Sequence, residues 1–141
     1  MTMVPIYAQE HDFSKYSVLA VDDIPLNLLL VQKMLSRFNF KLRTASGGQQ
    51  ALDAVAEEKP DLILLDLMMP GIDGFEVIRR LREDPTTADI QIVILSALNS
   101  NEDVVKGFNV GANDFIMKPI IMEKLLTCVV TQLSIVEANK R

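Results

Sequence analysis

A chain of 141 residues, 49% hydrophobic and 23% charged, is sized for one folded domain with a real core, which excludes a disordered polymer. Its net charge of −5 excludes the basic stripe of a nucleic-acid surface. With one cysteine (Cys128) and one histidine (His11), it can form no internal disulfide, no cysteine- or histidine-based zinc site and no Ser/His triad. No apolar run approaches the roughly 20 residues of a membrane span, and no basic-then-apolar signal order opens the chain. A cytoplasmic protein is expected, with no membrane insertion and no direct contact with nucleic acid.

Residues 1–16 are polar and aperiodic, with Pro5, Glu10 and Asp12, and read as a leader, a short extra helix or the end of a linker. Ser17-Val18-Leu19-Ala20-Val21 predicts a buried strand running into Asp22-Asp23. A helix follows over 24–38, with Pro25 in its first turn, where the missing N–H costs nothing. A more amphipathic strand is expected over 40–45, and Ser46 and Gln49, spaced as a capping box, predict a helix over 49–58. The strand expected over 61–66 is apolar on both faces and closes on Asp66, the pattern of a central parallel strand. After the Pro70-Gly71 turn, Asp73 is placed to cap a helix reaching Glu83. The polar loop 84–89 leads to a strand over 90–95 that ends on Ser96. Ser100 caps a short helix over 101–109, closed by Gly111. A strand over 114–118 is stopped by Pro119, and the last helix covers 121–137, leaving 138–141 as a polar tail or the start of a linker.

Strand and helix alternate five times with short loops, so the predicted fold is α/β: a doubly wound, five-stranded parallel sheet in the flavodoxin-like order 2-1-3-4-5. Parallel strands bring their carboxyl ends to one edge, so Asp22, Asp23, Asp66, Ser96 and Lys118 should meet there. Taken singly, each has an ordinary reading: Asp23 as a helix cap, Asp66 as a carboxylate near a helix start, Ser96 as a turn residue, Lys118 as a solvated charge. Together they make a site. Crowded carboxylates need a cation, and Mg²⁺ suits a site with few protein ligands that must also meet phosphate oxygens. Asp22, Asp23, Asp66 and the Met68 carbonyl are the expected ligands. Asp66 is the expected phosphoryl acceptor, Lys118 the positive charge for the phosphoryl oxygens and Ser96 a hydroxyl donor.

At these residues the chain closely resembles the receiver domain of two-component response regulators, in the CheY-like superfamily. The matching motifs are Val21-Asp22-Asp23, Leu65-Asp66-Leu67-Met68-Met69-Pro70-Gly71-Ile72-Asp73-Gly74, Leu95-Ser96-Ala97, and Gly111-Ala112-Asn113-Asp114-Phe115 leading to Lys118-Pro119. The resemblance implies a receiver over 17–137 that takes a phosphoryl group on Asp66 from a phosphohistidine of a sensor kinase or phosphotransfer protein. It further implies that Ser96 and Phe115 act as switch residues and that the Lys118-Pro119 bond is cis. Ser96 replaces the commoner threonine. Helix 121–137 lacks the arginines that pair across winged-helix regulator dimers.

An aspartate-nucleophile phosphatase is the competing enzyme reading, but it needs a second acid where this chain has Met68. The expectation is therefore a phosphoryl-accepting regulator rather than an enzyme acting on other substrates. Helix 101–109 holds Gly107 and offers Val104, Val105 and Phe108 for packing, so it is the expected mobile element. In the last helix, Leu125, Val129 and Val136 fit an inward stripe, while Met122, Leu126, Val130 and Leu133 widen it. That width fits either a broad core stripe or a homodimer or downstream-domain surface on the 101–137 face. Met68 and Leu98, two residues beyond Asp66 and Ser96, are apolar and cannot orient an attacking water, so slow loss of phosphate is expected.

Overall fold

The computed structural model describes residues 4–98 and 100–140. Five strands, β1 (Ser17–Val21), β2 (Lys41–Ala45), β3 (Leu62–Leu65), β4 (Gln91–Ser96) and β5 (Asp114–Met117), alternate with five helices. These are α1 (Pro25–Leu35), α2 (Gly48–Glu57), α3 (Gly74–Glu83), α4 (Asn101–Val110) and α5 (Met122–Asn139). The strands form one parallel sheet in the order β2-β1-β3-β4-β5, as the alternation predicts.

The side-chain period of two divides the central strands between two cores. Val18, Ala20, Leu62, Leu64, Val93, Leu95 and Ile116 face α1 and α5. Leu19, Val21, Ile63, Leu65, Ile92 and Ile94 face the α2–α3–α4 side. Asp73 caps α3 by accepting the Glu76 amide at 2.9 Å, and Ser100 caps α4 by accepting the Asp103 amide at 3.1 Å. Gly111 ends α4 at φ +121°, a conformation that side-chain-bearing residues rarely adopt.

Three local expectations are corrected. Helix α1 stops at Leu35 rather than Phe38, because Ser36 turns its amide and hydroxyl onto the Lys33 carbonyl and the chain folds back. Phe38 thereby stacks on Phe40 and tilts against Phe13. The Ser46–Gln49 capping box does not form. Helix α2 starts at Gly48 behind Gly47 with no side-chain cap, since its first turn is set by close backbone approach: a Cβ on Gly48 would sit 2.2 Å from the Ile72 carbonyl oxygen. In α4, Val105 and Phe108 are exposed, and Gly107 is the one buried residue of the helix among the described residues.

Helix α5 resolves the question of its width. Leu125, Leu126, Val129, Val130 and Leu133 are all buried, so the stripe is core; Met122 and Ile135 remain exposed. Part of the cover comes from the chain ahead of β1, which contacts α5 through a 3-10 turn at Ile6–Ala8 and buries Phe13 and Tyr16 in the same core. Beneath α5, the Gln91 side-chain amide donates to the Gln132 side-chain oxygen at 2.9 Å, a buried side-chain hydrogen bond between sheet and helix.

Candidate functional site

Asp22, Asp66 and Lys118 each stand one step past a strand end, Asp23 follows Asp22 and Ser96 closes β4; the sheet's own hydrogen bonds place the first three. The Asp66 amide donates to the Val21 carbonyl at 3.0 Å, the Asp22 amide to Ala45 at 3.2 Å, and the Lys118 amide to Ser96 at 2.8 Å. The ladder thus extends to the residues that carry the chemistry. Gly74 lets α3 return closely over this rim: its amide meets the Leu67 carbonyl, and a Cβ there would fall 2.6 Å from the Asp66 carbonyl oxygen. The Lys118–Pro119 peptide bond is cis.

The side chains converge. One carboxylate oxygen from each of Asp22, Asp23 and Asp66 lies within 4.8 Å of the others. Lys118 Nζ donates to Asp22 Oδ2 at 3.0 Å and stands 3.8 Å from Asp66 Oδ1. Asp22 also accepts the Ile24 amide at 3.0 Å, which fixes its rotamer. Asp22 and Asp66 are buried. Burial pushes the Asp66 carboxyl above its ordinary value, Lys118 opposes that shift, the Asp22 charge adds to it, and the amides of Met68 and Leu67 pull it back.

Asp23 Oδ1 is buried with no hydrogen-bond partner among the described residues. A buried, unsatisfied carboxylate oxygen beside two more acids is costly unless a cation meets it. The donor set, all hard oxygen, fits a small divalent ion of the Mg²⁺ type.

Ser96 is fully buried, and its Oγ accepts the Leu98 amide at 3.2 Å. Phe115 is half-buried and packs on the α2–α3–α4 side. Met68 is 60% exposed. Cys128 is remote from this chemistry; burial, with the Asp114 carboxylate beside it, pushes its thiol up to about 12. Beside Asp22 and Lys118 a cavity of about 520 Å³ opens between α1 and the β5–α5 connection, walled by Leu28, Leu30, Val31 and Met34. Next to it, Ile24, Leu26, Leu29 and Leu30 form an exposed apolar ridge. Sequence reasoning missed this surface, although Leu28-Leu29-Leu30 carries more apolar residues than one inward helix face needs.

The fold is a doubly wound parallel sheet with an acid triad and a lysine on its carboxyl rim. The chain belongs to the response regulator receiver domain family, whose model matches residues 18–130. It is 46% identical over 103 residues to the response regulator PleD of Caulobacter vibrioides, covering 73% of this chain and 23% of PleD. It is 39% identical over 109 residues to the DNA-binding dual master transcriptional regulator RpaA of Synechocystis, covering 77% of this chain and 45% of RpaA. The chain therefore spans less than half the length of these relatives. The BeF3-activated receiver domain of DrrB, a Thermotoga maritima protein, superposes with a TM-score of 0.77 at 31% identity, covering 84% of this chain and 97% of that one.

Proposed function

We propose that this receiver accepts a phosphoryl group on Asp66 from the phosphohistidine of a sensor kinase or histidine phosphotransfer protein. The observation that carries the reading is the packing of Asp22, Asp23 and Asp66 within 4.8 Å, with Asp23 Oδ1 left unsatisfied and Lys118 reaching two of the three acids. An Asp66 oxygen forms the new bond to phosphorus as the phosphorus–nitrogen bond of the donor breaks, and the imidazole leaves with its electron pair. Asp22, Asp23, Asp66 and the Met68 carbonyl are the groups that would hold Mg²⁺. When bound, the ion supplies charge neutralisation for the transferring group. Lys118, bonded to Asp22 and 3.8 Å from Asp66 Oδ1, is the cation that would meet the phosphoryl oxygens. Ser96 offers its hydroxyl from the neighbouring strand end.

The relative described as BeF3-activated supports a phosphoryl-responsive site, since beryllofluoride on an aspartate imitates the acyl phosphate. The exposed ridge of Ile24, Leu26, Leu29 and Leu30 beside the site suits the apolar helix of a donor protein. Ser96 and Phe115 would carry the change to the face of α4, β5 and α5, where a second copy or a downstream domain would read it, with α4 the element that shifts. The module is a regulator rather than an enzyme on other substrates, and apolar Met68 and Leu98 leave it slow to lose its phosphate to water. Among the described residues no helix is long and apolar enough to cross a membrane, and a cytoplasmic setting fits a kinase-borne phosphoryl donor.

Incubation with a small phosphodonor and Mg²⁺, followed by intact mass, tests the chemistry. The parent should gain one phosphoryl mass and Asp66→Asn none. An equal gain in both would move the acceptor elsewhere.

A further inference from the structure

Helix α4 meets the sheet through a residue with no side chain. Gly107 is its one buried residue among the described residues, lying over Ile94 of β4 and Phe115 of β5, which are paired across the two strands. A Cβ on Gly107 would fall 2.8 Å from Ile94 Cδ1 and 3.3 Å from Phe115 Cδ2. Gly107 lies one turn from the end of the helix that is held against the sheet, so this part has little room to rise. The C-terminal end is tied down where Arg82 Nε donates to the Gly111 carbonyl at 2.9 Å and Arg82 Nη2 to Asn113 Oδ1 at 2.9 Å. The same Asn113 oxygen accepts the Ile92 amide at 2.7 Å, so the tie runs into β4. Ile94 is fully buried and has little freedom to withdraw its terminal methyl. The Phe115 ring, only partly buried, is the part that would yield.

We propose that Gly107 is a positioning residue of the receiver switch: the absence of a side chain there creates the slot that the Phe115 ring occupies when it turns inward beneath α4. This rests on the reading of Phe115 as a switch. A methyl group in the slot displaces the ring outward, and the inward state, with the phosphorylated form that favours it, becomes harder to reach. Elsewhere in an exposed helix a glycine is only a defect; at this position it is the clearance between the anchored C-terminal end of α4 and a moving ring.

The test is titration of the parent and of Gly107→Ala with beryllofluoride in Mg²⁺, following the Phe115 ring resonances by NMR, with circular dichroism to confirm folding. The parent ring signals should move on titration, and Gly107→Ala should need about fivefold or more beryllofluoride for half-conversion. Adding Ile94→Val, which deletes the nearest clashing atom, should return the half-point toward the parental value. In the unsubstituted chain, Gly107 Hα protons should show NOEs to the Phe115 ring, a measurement that stands even if Gly107→Ala fails to fold. If the parental ring does not respond at all, the switch reading fails and this inference with it. If the parent responds and Gly107→Ala matches its half-point, or the NOEs are missing, the role of Gly107 alone is overturned.

Discussion

Asp66 ionises at a cost. Burial and the neighbouring Asp22 raise its folded-state value above the ordinary 3.8, with Lys118 and two amides opposing. The folded state therefore binds the proton more tightly than the unfolded chain. Stability from this group is fully present below the unfolded value and is lost as pH rises through the raised folded value. Asp66→Asn removes that loss. It should melt at a higher temperature than the parent at neutral pH, with the difference shrinking as pH falls and vanishing below about pH 4. Thermal melts of the two proteins across that range, without added metal, check it. A constant offset at every pH would mean that the asparagine changes packing rather than charge. The acids were legible in the sequence because parallel strands bring their carboxyl ends to one edge, so residues with ordinary readings taken singly converge there. The unsatisfied Asp23 Oδ1 was not, since satisfaction depends on neighbours that only the folded chain supplies.

Among the elements, α2 shows where local pattern loses to tertiary approach. Ser46 and Gln49 have capping-box spacing, yet the helix starts behind Gly47, and Gly48 packs under the Ile72 backbone. Helix propensity alone says that Gly48→Ala gains about 1 kcal/mol. The Cβ, however, would collide with a carbonyl oxygen in the connection that also carries Asp66 and Asp73, and a backbone atom cannot swing aside as a side chain can. Overpacking of this kind costs about 1–3 kcal/mol, so a net destabilisation is expected. Urea unfolding would show it as a lower midpoint at unchanged slope. A higher midpoint would mean that the Ile72 loop moves freely. The caps at Asp73 and Ser100, by contrast, were readable because a cap is a contact between near neighbours in sequence. The faces of α4 were not, because periodicity marks apolar positions without saying that a glycine is the one pressed against the sheet.

For the molecule as a whole, the alternation of strands and helices carried the fold, strand order included, since parallel pairing and short right-handed crossovers leave few topologies. The stretch ahead of β1 escaped this logic. Phe13 and Tyr16 are a lone pair three residues apart among polar residues, too short a pattern to mark a helix or a strand, so nothing local marks them as core. Yet Phe13 is 3% exposed, edges onto Tyr16, tilts against Phe38, and donates its amide to Asn39 Oδ1 at 2.7 Å. We propose that the folding unit extends back to this segment rather than starting at Ser17. Phe13→Ala should then cost about 3–5 kcal/mol in denaturant unfolding, the loss typical of a buried aromatic. A loss within about 0.5 kcal/mol, as for a surface change, would make the segment an appendage.

The buried amide pair of Gln91 and Gln132 bears on how a message could leave this fold. It bolts α5 to β4 through a bond whose rupture would strand two polar groups in oil, whereas α4 on the other side of β5 rests on bare glycine. Of the two helices bordering that edge strand, one is bolted to the sheet along its buried face and the other is anchored at its C-terminal end, free to pivot about it. A protein gripping both would sense a change in their spacing, a ruler with one end nailed down.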